Sequence, residues 1–329
     1  MRIIFLLIMA LPLAATTRAH ADDRPCVAIV VGAQGTSEYG AEFQRWAKLW
    51  QEAAAKGKAE CVTIGAGAAG AAGQGTDRDR LRALVSERGS AGNREPLWIV
   101  LIGHGSFDGR EAKFNLRGPD VSDVELAQWL ASVQRPIAVI NCASASGPFL
   151  PRLSGPNRIV ISATRSGDEQ NFARFGQYLA ESIADAKADL DKDGQVSLLE
   201  AFLMASRRAE EFYKTRSRLA TEHALLDDNG DKLGTPPDWF RGVRAIRRAK
   251  DGAAADGLRA HQLHLVPSDR EQRLPVDVRR RRDRLELDIA ALRDQKSKLK
   301  ADDYYKRLET LMVELAKLYQ GEASKPESF

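Results

Sequence analysis

The sequence predicts an α/β protein: a mostly parallel sheet flanked by helices, followed by a C-terminal α-helical hairpin. Two observations predict the sheet. Apolar runs of strand length each stop at glycine or a small polar residue: Leu97 to Ile102 before Gly103-His104-Gly105, and Pro136 to Ile140 before Asn141-Cys142-Ala143-Ser144. Between them, Val121 to Leu130 carries its apolar residues at helical spacing, so strand, helix and strand form a right-handed parallel crossover. A third observation predicts the hairpin. Two amphipathic stripes beyond Pro275 are separated by Ala301-Asp302-Asp303.

The elements follow in order. Met1-Arg2, the apolar run Ile3 to Leu13 and Ala19-His20-Ala21 read as a secretory signal peptide over 1–21. The mature chain then starts at Asp22 and is exported to the periplasm or the exterior. That run is too short for a bilayer and no later one is long enough, so no membrane span is expected. The first strand, Cys26 to Val31, leads through Gly32-Ala33-Gln34-Gly35 into a helix faced by Tyr39, Phe43, Trp46, Leu49 and Trp50. After the second strand, Cys61 to Ile64, the string Gly65 to Gly70 matches a dinucleotide fingerprint. It lacks the immediate helix that the fingerprint requires, because Gly73 and Gly75 keep the segment a loop. A helix starts after Thr76, with Asp79 completing a capping box. Arg158 to Thr164 is a fifth strand, and Phe172, Phe175, Leu179 and Ile183 mark the next helix.

One domain thus covers 22–249. A linker or edge segment covers 250–274, in which Gln262 to Val266 would form an edge strand. The hairpin occupies 275–320 and a tail 321–329. Leu285, Ile289, Leu292 and Leu299 make its first stripe; Tyr305, Leu308, Met312, Leu315 and Tyr319 make its second. Such a stripe must be buried on itself, on the domain or on a partner, including a second copy. The formal charge of +4 is modest. The Arg279-Arg280-Arg281-Arg282 run has acidic residues interleaved nearby, so it reads as a solvated helix face rather than a nucleic-acid or lipid patch. Cys26 and Cys61 open parallel strands near one register, which suits a disulfide in an oxidising compartment; two buried free thiols are the alternative. Cys142 is then the odd thiol.

Parallel neighbours bring the ends of both strands to one sheet edge, where α/β sheets bind ligands. A thiol there beside an imidazole, Cys142 with His104, is the minimum for an activated nucleophile. On Gly103-His104-Gly105 and the small-residue run Cys142 to Gly147, the chain resembles the legumain branch of the caspase–legumain–gingipain peptidases, from about Cys26 to Leu219. It departs from that pattern in having Asn141-Cys142-Ala143 where legumain-like sequences usually show Ala-Cys-Glu. The resemblance implies a caspase–hemoglobinase-like fold and an exported cysteine endopeptidase acting on peptide or protein substrates. In it Cys142 attacks the carbonyl to form an acyl-enzyme, His104 moves the protons, and the backbone amides of Gly105 and Cys142 face the oxyanion. It further implies a substrate pocket built from Gln34, Glu38, Tyr39, Ser162, Thr164 and Asp168, with Glu38 and Asp168 favouring a basic residue before the cut. Two other readings stand beside it. One is a catalytically inactive member of the fold that binds peptides or partners through the cleft and the hairpin. The other is a hydrolase using Ser144 or Ser146, against which the absence of a Gly-x-Ser-x-Gly elbow weighs.

Asp189 to Glu200 is an EF-hand-type calcium loop. Asp189, Asp191 and Asp193 take its first, third and fifth places, Gln195 the seventh, Ser197 the ninth and Glu200 the twelfth, with Gly194 sixth. A single loop of this kind suits a structural clamp. Asp227-Asp228-Asn229-Gly230-Asp231 begins similarly, but Lys232 stands where glycine is needed, so the run reads as a solvated turn, with a second ion as the alternative.

Overall fold

The computed structural model describes residues 24–67, 75–89, 94–250 and 254–323. The expected signal peptide and most of the expected tail lie outside the described residues. Long apolar runs become buried strands and amphipathic runs become the helices that cover them. In chain order the elements are β1 (Cys26–Val31), α1 (Ser37–Lys56), β2 (Glu60–Ile64), α2 (Asp77–Arg88), β3 (Leu97–Ile102), β4 (Gly105–Phe107), β5 (Ala112–Phe114), β6 (Val121–Ser122), α3 (Asp123–Leu130), β7 (Ile137–Asn141) and α4 (Phe149–Leu153). Then come β8 (Arg158–Ser162), α5 (Phe175–Ser182), α6 (Leu198–Thr215), β9 (Leu225–Asp227), β10 (Phe240–Arg241), β11 (Arg244–Ala245), α7 (Leu258–Gln262), α8 (Asp269–Arg273), α9 (Val276–Asp294) and α10 (Ala301–Ala323).

The central sheet has the order β2-β1-β3-β7-β8-β9, parallel except for β9. This is the expected α/β class, a mostly parallel sheet flanked by helices and followed by a helical hairpin. Alternate strand residues serve two cores. Val27, Ile29, Trp98, Val100, Ile140 and Cys142 face α1, α5 and α6, where Phe43, Trp46, Trp50 and Phe202 pack. Ala28, Val30, Ile99, Leu101, Val139 and Ala143 face the layer of α2, α3 and α4. Both faces being covered is why these strands read as unbroken apolar runs. The expected capping box of α2 is present, Thr76 and Asp79 each accepting the other's backbone N–H.

Several elements differ from expectation. The polar loop after His104 folds into a small antiparallel sheet, β4-β5-β6. Within the segment expected as a linker or edge, residues 254–274 carry α7 and α8 and bury Ala260 and Leu265. Its expected strand is reduced to one bridge between His264 and Ser197. In the hairpin, Leu285, Ile289 and Leu292 are buried as expected, but α10 turns Tyr304 inward and leaves Tyr305 and Met312 exposed. The arginine run is not a solvated face. Only Arg281 is largely exposed, at 63 % of its side chain, while Arg282 is clamped by Glu271 at 2.6 and 2.8 Å. Cys26 and Cys61 are free thiols. The register pairs Cys26 with Glu60 and Cys61 with Val27, so the two cysteines point to opposite faces of the sheet and cannot bridge. Among the described residues, no helix is long and apolar enough to cross a membrane.

Candidate functional site

β3 and β7 run side by side, and Leu97 to Leu101 pair with Ile137 to Asn141 at a constant offset of 40. Carried past the strand ends, that offset sets Cys142 level with Ile102 and Ser144 level with His104. Two residues of extended chain span about 6.6 Å, so Cys142 lies that much deeper in the sheet than His104. The alternation of side chains then sends Cys142 into the core beneath α1 and α5. There it is 1 % exposed. Gly176 of α5 backs onto it: a Cβ on Gly176 would lie 2.5 Å from the Cys142 Cβ, 3.1 Å from its sulfur and 3.1 Å from the Trp46 ring.

Burial pushes the Cys142 thiol up to about 12, and the nearby charge of Glu222 pushes the same way. Glu222 is itself buried and held by the N–H groups of Arg174 and Phe175 and the hydroxyl of Tyr213. A thiol at that value is ionised to about one part in 10⁵ at neutral pH, the reverse of the electropositive, partly exposed setting in which thiols react. The expected nucleophile is thus a buried thiol in this structure. The expected oxyanion donors are also engaged. The Cys142 N–H donates to the Leu101 carbonyl at 2.9 Å, and the Gly105 N–H donates to Ser144 Oγ at 3.2 Å.

Ser144 is the residue that reaches the histidine loop. Its hydroxyl accepts from the Gly105 N–H and donates to the Gly105 carbonyl, each at 3.2 Å. Gln170 Nε2 donates to the Phe107 carbonyl at 3.3 Å. Gly105 and Phe107 are alternate residues of β4, so two side chains occupy main-chain positions on the edge of β4 facing away from β5. His104 is half-buried, with its ring 4.9 Å from Tyr39, 5.1 Å from Phe43 and 6.1 Å from Phe172. That burial holds its imidazole below the usual range, opposed by a hydrogen bond to the Gln34 carbonyl.

The expected pocket residues divide. Gln34, Glu38 and Tyr39 sit on the rim after β1, Glu38 being exposed, and Asp168 is exposed on the loop after β8. Ser162 and Thr164 are fully buried and hold that loop from inside, Ser162 Oγ donating to the Thr164 carbonyl and Thr164 Oγ1 pairing with Ser146 Oγ. Phe172 belongs to the site as an aromatic wall rather than to a helix. His223 bonds through Nδ1 to Glu169 at 2.5 Å, and Glu169's own carbonyl accepts the Ala145 N–H.

The 189–200 loop is held by hydrogen bonds from its own backbone. Asp189 accepts the N–H groups of Lys192 at 2.6 Å and Gly194 at 3.2 Å, and Gly194 has the left-handed φ of +91°. Carboxylate oxygens of Asp189, Asp191 and Asp193 lie within 4.8 Å of one another. Glu200 turns back into the loop, accepting from Leu190, Asp191 and Ser197. Gln195 instead uses its side-chain oxygen on the Ser268 N–H. Sequence reasoning missed His261, whose Nε2 lies 2.9 Å from Asp191. The 227–231 run is no solvated turn. Asp227 and Asp228 are buried against Asp256, and Lys232 adopts a left-handed φ of +71° at the place expected to demand glycine.

No family model and no curated protein matches the chain. Among solved structures it is similar to the Drosophila initiator caspase Dronc, at 15% identity and a TM-score of 0.40, over 63% of this chain and 80% of that one. It is also similar to caspase-1 from Spodoptera frugiperda, at 7% identity and a TM-score of 0.37, over 68% of this chain and 94% of that one. These likenesses say nothing of chemistry; the fold class stands on the strand order and flanking layers described above.

Proposed function

We propose that this chain binds an extended polypeptide segment at the C-terminal edge of its sheet, in a cleft of caspase-like layout, without cysteine catalysis. One contrast carries the reading: the Cys142 sulfur is sealed under Trp46 and Gly176, while the residue beside His104 and Gly105 is a serine. What supports a peptide as ligand is the edge of β4. Ser144 and Gln170 offer side-chain hydrogen bonds where a partner strand would offer main-chain ones, and an incoming strand exchanges one set for the other at little cost. Tyr39 and Phe172 beside His104 supply the apolar wall for one of its side chains.

A thiol-directed peptidyl probe tests this together with a peptide library. The expected result is labelling at the exposed Cys61 but none of Cys142 in the folded protein, and peptide capture weakened about tenfold or more by Phe172→Ala. Labelling of Cys142 that disappears in Cys142→Ala would restore the cysteine peptidase. Fluorophosphonate labelling lost in Ser144→Ala would make the site a serine hydrolase instead.

The reading includes export, on the strength of the N-terminal signal, and calcium in the 189–200 loop. Asp189, Asp191 and Asp193 bring carboxylate oxygens together, and Asp191 shares a second cluster with Glu200 and His261; these mainly oxygen donors suit a hard divalent cation, whose role would be to hold α6 against the loop before it. At a hundredfold excess over its Kd, calcium should raise Tm by roughly 5 °C or more, reversed by chelator and absent in Asp193→Ala. A Tm indifferent to chelator removes calcium from the proposal.

A further inference from the structure

The arginine run of α9 plays no part at the C-terminal edge. It faces the opposite, N-terminal edge of the sheet across a cavity of about 600 Å³. Pro25, Pro96, Pro136 and Ile137 line one side at the strand starts; Arg259, Arg279, Arg280 and Arg284 line the other. An adjoining cavity of about 580 Å³ under the hairpin shares Arg280 and Arg284 and adds Leu285 and Leu311.

The charges here do not cancel. Arg282 is matched by Glu271 and Asp283, and Arg279 reaches Glu95 at 3.7 Å. Arg280 and Arg284 form no ion pair among the described residues and Arg259 has only a longer-range attraction to buried Asp228, against one lining carboxylate without an ion pair, Asp288. Two guanidinium nitrogens, Arg279 Nε and Arg280 Nη2, are sealed from solvent without an acceptor. A buried donor without a partner costs free energy, more so on a charged group, and such groups call for an explanation. An oxyanion supplies both missing elements, acceptor atoms and negative charge, and the guanidinium fork matches the planar or tetrahedral oxygens of carboxylate and phosphate. The proline and aliphatic wall opposite suits an apolar body, and the volume is that of a small-molecule site.

We propose that this cavity binds a small organic oxyanion: an apolar body against the strand starts, and a phosphate or carboxylate head on Arg259, Arg279 and Arg280. Hexyl phosphate and hexanoate, titrated into the full chain and followed by Tm, separate the two heads, with inorganic phosphate testing the need for the body and sodium chloride at matched ionic strength as the control. At least one of the two organic probes should give a saturable rise, about 5 °C at a hundredfold excess over Kd, that salt does not reproduce. Arg280→Gln and Arg259→Gln should each weaken that probe about tenfold or more while keeping the native circular dichroism. Arg259 lies on α7, apart from the hairpin, so it tests the site even if Arg280→Gln disturbs α9. The proposal is overturned if neither organic probe exceeds the salt control, or if both variants retain the full shift.

Discussion

Gly105→Ala is expected to lower Tm by roughly 6–12 °C, a loss of about 3 kcal/mol at 2–4 °C per kcal/mol, and to abolish peptide capture. A methyl group at this position falls well inside contact distance of the Ser144 carbonyl oxygen and 3.1 Å from the Lys113 carbonyl oxygen. Both obstacles are main chain, on opposite sides, so no side-chain rotation relieves them. Either β4 parts from β5, losing the Gly105–Phe114 pairing, or the turn after β7 is displaced and Ser144 loses its two bonds to Gly105. Each outcome moves His104 relative to the rim. Gly109→Ala is the control. Gly109 has a left-handed φ of +90° with nothing within 4 Å of an added Cβ, so it should show only the cost of backbone strain, about 1–2 kcal/mol, with binding retained. Equal losses in both variants would mean that close approach at Gly105 does not hold the rim together.

Much of the architecture was legible because its signals are local. Strands covered on both faces advertise themselves as continuous apolar runs, and the capping boxes at Thr76 and Ser197 lie within four residues. The site was legible only in part, because its assembly depends on register. His104 and Cys142 are 38 residues apart, whereas the strands that carry them pair at an offset of 40, so Ser144 takes the level assigned to the cysteine. Nothing within either apolar run announces that difference, yet it decides which side chain faces the cleft. A one-residue uncertainty in register likewise put Cys26 and Cys61 on one face when they occupy two. The arginine run failed for another reason. Composition shows that a helix is basic, but which way it faces is set by packing against strand starts more than a hundred residues earlier.

Asp256→Asn is expected to stabilise the protein at pH 8 by on the order of 3 kcal/mol, to change little near pH 4, and to flatten the pH dependence between. Asp256 is 5 % exposed. Its carboxyl group accepts from the N–H groups of Asp228 and Asn229 and from Thr235 Oγ1, all neutral donors. Burial, reinforced by the charges of Asp228 and Asp227, pushes it up to about 8. The Arg259 guanidinium acts on Asp228, which also accepts from Gly257 and Ala260. The sign follows from proton binding. Between the unfolded value near 4 and the folded value near 8, the folded state holds a proton that the unfolded state has released. Stability is therefore full below about pH 4 and falls as pH rises through about 8, by at most about 1.4 kcal/mol per unit for one group. An asparagine keeps the carbonyl that accepts the two backbone N–H groups, and its amide replaces the acid proton permanently. Glu222, Asp123 and Asp227 are likewise raised by burial, so a residual slope of the same sign should survive in the variant. Urea unfolding of both proteins from pH 4.5 to 8.5 measures the difference directly. Curves that stay parallel across that range would mean that Asp256 is ionised in the folded protein at neutral pH and that the loop from Asp228 to Ala260 is held closed by something other than a retained proton.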